Sequence, residues 1–217
     1  MKSRSSREEI IESAVVVFAD KGFYSTHMEE IAEQASVNKA MVYYYFGSKD
    51  KLLSEVLAII FQRISENLIK RFTSNRLRLP ANPIDRIRLF VETHFDVFAT
   101  HQNYARILVN ILTIKPEEIR RLFAENPVIK KIFAEVQKAF LEGKEQGLLR
   151  EIDYRQLLIS IVGMNLVYFV TKPVAQVFLQ FEVADERKFI RERRKFIVDL
   201  LLNGILRQPQ SVAEVLQ

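Results

Sequence analysis

The chain has 217 residues, 48% of them apolar, with six glycines, six prolines and no cysteine. That length and apolar content suit one large domain, or a small one joined to a medium one; scarce Gly and Pro disfavour loop-rich and all-β architectures, and the missing cysteine excludes disulfides, thiolate metal sites and a cysteine nucleophile. The net charge of +5 does not by itself point to nucleic acid, because residues 1–51 carry seven Lys/Arg against eight Asp/Glu, and the excess lies beyond them, 25 basic against 19 acidic.

The opening residues, MKSRSSREEII, lack the apolar run of a secretory signal, so a cytoplasmic protein is expected. Ile10, Ile11, Ala14, Val17 and Phe18 recur at helical spacing and predict a first helix from about Arg7 to Asp20, closed by Lys21 and Gly22. Thr26 with Glu29 three residues on is a capping-box pattern, opening a short second helix over about 27–34. Asn38 is a suitable N-cap for a third helix, with Val42 and Phe46 as its inward stripe and Gly47 as its stop. Ser48 caps a fourth helix, whose pattern runs through Phe61, Ile64 and Leu68 towards Phe72, about 25 residues or 38 Å.

The segment SNRLRLPANP, residues 74–83, breaks that pattern. Further helices are predicted over about 84–100, 103–113, 117–124, 127–146, 153–171 and 185–206, with residues 174–184 able to extend the preceding helix past a kink at Pro173. The apolar run at 157–170 contains Ser160 and Asn165 and reads as a buried helix too short to span a bilayer. No strand alternation and no repeat is present. The fold class is all-α, about nine helices in all, with a three-helix N-terminal unit over residues 1–50 and a larger helical unit over 51–217.

Two short helices joined by a tight turn, the second flanked by cations, match the helix-turn-helix pattern. In the third helix, successive residues point about 100° apart, so Tyr43, Tyr44 and Tyr45 cannot all face one core. Geometry allows one of these rings to be buried and presents the others outward. Lys39 can donate to guanine, Ala40 permits close approach, and tyrosine hydroxyls can reach phosphate. Lys49, in the first turn of the fourth helix, either meets phosphate or pairs with Asp50 or Glu55.

Residues 7–53 resemble the TetR family of transcriptional regulators. The resemblance is carried by AVVVFADKGFYSTHMEEIAEQASVNKAMVYYYFGSKDKLL, with Phe18, Gly22, Phe23, Thr26, Ile31, Ala32, Val37, Val42, Tyr43, Tyr45, Phe46, Lys49 and Leu52 on the family's pattern. It implies a ligand-responsive, sequence-specific DNA-binding regulator, most readily a repressor; an activator or a non-specific DNA binder of the same fold is the alternative. It implies that Thr26 and His27 open the second helix beside the phosphate backbone, that Lys39, Ala40 and Met41 read bases, that Tyr43, Tyr44 and Tyr45 contact bases and phosphate, and that Lys49 binds phosphate. A Lys49→Ala change is then expected to flatten the salt dependence of binding by about one unit of slope. Ser36 stands where the family usually has glycine, and His27 where it often has threonine.

The same resemblance implies that the larger unit encloses an effector pocket and forms a homodimer. Candidate pocket residues are the polar His94, His101, Asn110, Asn165 and Tyr168 among the apolar Phe98, Tyr104 and Met164, suiting a hydrophobic or amphipathic small molecule. Candidate dimer residues are Gly163 and, on the last helix, Phe189, Phe196, Leu200 and Gly204. A two-fold dimer implies a palindromic double-stranded DNA operator. His94 and His101 lie two turns apart, which is not a helical metal pair, so no metal or cofactor is expected. No Walker loop, nucleophile elbow or zinc-protease motif is present, which leaves an all-α enzyme as a remote alternative.

Overall fold

Ser5 opens the first helix, α1 (Ser6–Lys21), with a reciprocal cap: its hydroxyl accepts from the Glu8 amide, and the Glu8 carboxylate accepts from the Ser5 amide at 3.1 Å. The computed structural model describes residues 5–73, 80–178 and 186–207. These residues form ten helices and no strand, one for each helical stretch the sequence predicts, against an expected total of about nine. After α1 come α2 (Met28–Gln34), α3 (Lys39–Phe46) and α4 (Lys49–Thr73). The larger unit adds α5 (Pro83–Thr100), α6 (Gln102–Ile114), α7 (Pro116–Glu125), α8 (Pro127–Glu145), α9 (Tyr154–Phe178) and α10 (Glu186–Ile205).

The N-terminal unit closes around Ile10, Ala14, Phe18, Ile31, Val42 and Phe46, joined by Leu52, Leu53 and Val56 from the start of α4. Asn38 Oδ1 accepts from the Met41 amide at 2.8 Å, and Gly47, at φ 71°, ends α3 as expected. The cap of α2 differs from the sequence reading by one residue. His27 is the N-cap, and its amide donates to Glu30 at 2.8 Å. Thr26 is fully buried, and its hydroxyl donates to the Gly22 carbonyl at 2.7 Å instead, tying the α1–α2 turn to the end of α1.

Ser36, in the α2–α3 turn, has φ 55°, the one positive value at a non-glycine position among the described residues. A Cβ in that region is unfavourable by about 1–2 kcal/mol. Ser36→Gly should therefore stabilise the protein by about 1 kcal/mol, read as a higher denaturation midpoint with an unchanged slope.

In the larger unit, α5 is central and packs against α8, α9, α10 and α4. α9 continues through Pro173 as far as Phe178, so it runs beyond 153–171 into the 174–184 extension that the sequence allows. Its 25 residues make it long and apolar enough to cross a membrane by length and composition alone, contrary to the shorter reading. It is also not a wholly buried helix: Ile159, Val167, Val174, Val177 and Phe178 are exposed. The side chains of Leu68 and Phe72, and residues 74–79 and 179–185, lie outside the described residues.

Candidate nucleic-acid interface

α3 is built to present one face. Val42 and Phe46, four residues apart, are buried and fix the helix on the N-terminal core. The residues between them therefore point away. Tyr43, Tyr44 and Tyr45 are 42%, 82% and 41% exposed, so none of the three fills the core, and Tyr44 projects furthest. Three adjacent phenols reach outward because an eight-residue helix sits on its core by a single i, i+4 pair. Tyr44 and Tyr45 brace each other edge to face at 5.3 Å. Ala40 is exposed beside them, while Met41 is half-buried against the core. Lys39 pairs with Glu29 of α2, and its ammonium lies 5.6 Å from the Tyr43 ring centroid. This exposed pair can exchange its carboxylate for a base edge or a phosphate at small cost.

Lys49 behaves differently from the sequence expectation. Its ammonium donates to the carbonyls of Phe23, Tyr24 and Thr26 at 2.9, 3.1 and 2.8 Å. Those three bonds use all three of its protons. It also lies 4.7 Å from the Phe23 ring centroid. Lys49 thus joins α4 to the α1–α2 turn rather than offering a free cation to phosphate. His27 is exposed at the same edge.

The larger unit grips this turn from the other side. Lys115, just after α6, pairs with Asp50, and its ammonium is also 4.7 Å from the Phe23 centroid. Asn110 Oδ1 accepts from the Phe23 amide at 3.3 Å. Asn110, expected in a pocket, therefore faces the N-terminal unit. A second link runs through Arg63 of α4, which pairs with Glu12 of α1 and donates to Tyr104 Oη of α6 at 2.7 Å. His101 stacks on Tyr104 at 4.6 Å. The pocket candidates on α6 are thus contacts between units, and no spacing in the sequence marks Arg63 or Lys115 for this role.

Of the other pocket candidates, His94, Phe98 and Asn165 come together between α5 and α9. Asn165 is fully buried; its Nδ2 donates to the Val91 carbonyl at 3.1 Å and lies 3.0 Å from His94 Nδ1. A carbonyl only accepts, so it fixes the amide's orientation. His94 Nδ1 must then accept, and the ring proton sits on Nε2. Phe90 and Phe98 flank the imidazole at 5.8 and 5.1 Å. Burial pushes the His94 pKa from 6.5 down to about 4. The unfolded chain therefore binds the extra proton first, and stability should fall as pH drops from 6.5 towards 4. The loss should be on the order of 2–3 kcal/mol. Denaturant unfolding at pH 7 and pH 4.5 measures it, and His94→Gln should remove most of the difference. Met164 is half-buried on the same helix as Asn165, and Tyr168 is buried.

A Cβ added at Gly163 or at Gly204 would meet no heavy atom within 4 Å, so both glycines face open space in the protomer. The exposed large apolar residues of α9 fall at 159, 167, 174, 177 and 178, with Gly163 between the first two. That spacing is one helical stripe. On α10, Phe196 and Leu200 are 58% and 48% exposed. Phe189, at the start of the same stripe, is half-buried against Tyr168 at 5.2 Å within the protomer.

Residues 10–56 match the family model described as bacterial regulatory proteins, tetR family, and residues 83–201 match the model described as tetracyclin repressor-like, C-terminal domain. The chain is 28% identical over 210 residues to the HTH-type transcriptional repressor NicS of Pseudomonas putida, covering 93% of each chain. It is 22% identical to the fatty acid metabolism regulator protein of Bacillus subtilis, over 94% of this chain and 97% of that one. Among solved structures it is similar to the putative transcriptional regulator SCO4942 of Streptomyces coelicolor, with a TM-score of 0.67 at 21% identity, over 94% and 100% of the two chains. It is also similar in fold to the fatty acid degradation regulator FadR of Bacillus halodurans, with a TM-score of 0.65 at 20% identity, over 93% and 97%.

Proposed function

Since the chain belongs to the TetR family and is a DNA-binding transcriptional regulator, we propose that it acts as a homodimeric repressor released from a palindromic operator by a small apolar or amphipathic effector. Residues 1–50 read DNA, and residues 51–217 bind the effector and dimerise. The observation that carries the reading is the outward face of α3, where Ala40, Tyr43, Tyr44 and Tyr45 are exposed over buried Val42 and Phe46. A segment with almost no net charge gains its grip from phenols and a few placed cations rather than from a broad basic field. Lys39 and Ala40 read base edges, with Met41 supporting them from behind. His27 and the buried Thr26 set the start of α2 against the phosphate backbone.

The exposed stripes of α9 and α10 support dimerisation. Gly163 and Gly204 leave room for close approach by a second copy, and Phe196 and Leu200 supply its apolar contact. Two relatives named for fatty acid metabolism and degradation support an apolar effector. Selection of duplexes from random DNA by the full-length protein should return an inverted repeat with half-sites about one helical turn apart. Recovery of unrelated sequences would rule the reading out.

Effector binding between α5 and α9 reaches the DNA-binding unit through α6 and α4, because Asn110, Lys115 and Arg63 join these helices to the α1–α2 turn and to α1. An effector acts only by binding one arrangement of these helices better than the other. Lys115→Ala should loosen the turn it grips. Amides of Phe23 to Thr26 should then exchange several-fold faster in hydrogen exchange, with the core of α5 unchanged.

A further inference from the structure

Two buried polar atoms without a hydrogen-bond partner among the described residues, Tyr168 Oη and Arg193 Nε, belong to side chains that meet where α10 packs on α9, and a third, Asn165 Oδ1, lies one turn earlier on α9. Asn165 and Tyr168 are three residues apart and share a helix face. The Arg193 guanidinium carbon lies 5.8 Å from the Tyr168 ring centroid. Native interiors hold few such atoms, and each has a physical reason.

The charges around Tyr168 are already paired, except one. Glu186 accepts from Lys172 at 2.6 Å and from Gln102 at 3.0 Å. Arg194, next to Arg193, lies 3.1 Å from Glu92 and 3.0 Å from Asp96. Arg193 makes no salt bridge among the described residues and has only the Tyr168 ring beneath it. A guanidinium does not shed its proton in the ordinary pH range, so partial burial without a counter-ion is unfavourable. Burial accordingly pulls the Arg193 pKa down, and it pushes the Tyr168 phenol up, keeping it a donor.

We infer that Arg193 and Tyr168 form the acid-binding end of the effector site, and that the effector is an apolar monocarboxylate. Its carboxylate meets the guanidinium and accepts from the Tyr168 hydroxyl. Its apolar body lies along the rings packed around Tyr168, Phe189 at 5.2 Å and Phe169 at 5.3 Å. One half-buried guanidinium balances one negative charge, which favours a carboxylate over a phosphate monoester. The inference rests on the reading of the protein as effector-responsive.

The test uses the full-length protein without DNA, with thermal shift and calorimetry as readouts. The probes are decanoate and benzoate, each against its neutral counterpart, 1-decanol and benzyl alcohol. At least one carboxylate should bind and raise the Tm, and its alcohol should bind at least tenfold more weakly. Arg193→Gln should weaken that carboxylate by at least tenfold and Tyr168→Phe by about threefold, while Arg191→Gln, at an exposed neighbour, should not change it. Binding by neither carboxylate, equal binding of acid and alcohol, or unchanged affinity in Arg193→Gln would overturn the inference. So would dissociation of the dimer in Arg193→Gln, which would give Arg193 a carboxylate on a second copy as its partner. Because no DNA is present, operator recognition without carboxylate binding defeats the inference alone, and carboxylate binding without operator recognition defeats the repressor reading alone.

Discussion

Replacing Phe196 and Leu200 of α10 together by aspartate is expected to yield a folded monomer whose operator affinity is lower by about 10²–10⁴. Both side chains are about half exposed in the protomer, so the charges should leave the protomer's own core intact. That core is held by Ile197, Val198, Leu201 and Leu202 on the opposite side of the same helix. In a dimer the same charges would be buried without partners, which costs several kcal/mol per pair. Losing the dimer turns one bivalent encounter with DNA into two weak ones, and the joint gain from two half-sites disappears. Sedimentation gives the oligomeric state, circular dichroism checks the fold, and a titration with selected operator gives the affinity. A variant that remains dimeric, or a monomer with undiminished affinity, would place the dimer surface elsewhere.

The second large effect is expected at Lys49. Lys49→Met keeps the aliphatic stem but removes three charged hydrogen bonds to the carbonyls of Phe23, Tyr24 and Thr26. Partly buried carbonyls left without donors should cost about 2–4 kcal/mol, concentrated in the N-terminal unit. Operator affinity should fall with it, by at least tenfold, because α2 and α3 lose the turn that sets them against α1. The slope of log affinity against log salt should stay near the wild-type value, since the ammonium faces carbonyls and not phosphate. A slope smaller by about one, with stability unchanged, would return Lys49 to the phosphate-binding role that the family resemblance implies.

The helices were legible in the sequence because their signals are local. Asn38, Gly47 and Ser48 punctuate α3 and α4 where expected, since caps and left-handed stops act over three or four residues. The start of α2 was misplaced by one residue because Thr26 satisfies a capping pattern in sequence while its hydroxyl has a stronger local partner at Gly22. α9 continues past Pro173, the extension that residues 174–184 had left open, because a proline removes only one backbone hydrogen bond while the buried residues from Leu157 to Phe169 hold the helix on the core before it.

The candidate sites were only partly legible. The outward face of α3 follows from 100° steps. The split of the pocket residues does not, because sequence cannot tell which helix an α6 side chain faces. Asn110 and Tyr104 look toward α1, α4 and the α1–α2 turn, whereas Asn165 and His94 meet in the core. Arg193 stood in a run of charged residues, RERRKF, that reads as a solvated face. Only its position over Tyr168, with neighbouring carboxylates already paired, sets it apart.

The most direct measurement is the affinity of the full-length dimer for its selected inverted repeat against a scrambled duplex of equal length at physiological salt. A ratio of about 10³ or more is expected, with Tyr44→Ala reducing it and with protection of the DNA symmetric about the repeat's centre. A ratio near one, or protection without two-fold symmetry, would contradict a dimeric repressor that reads DNA through α3.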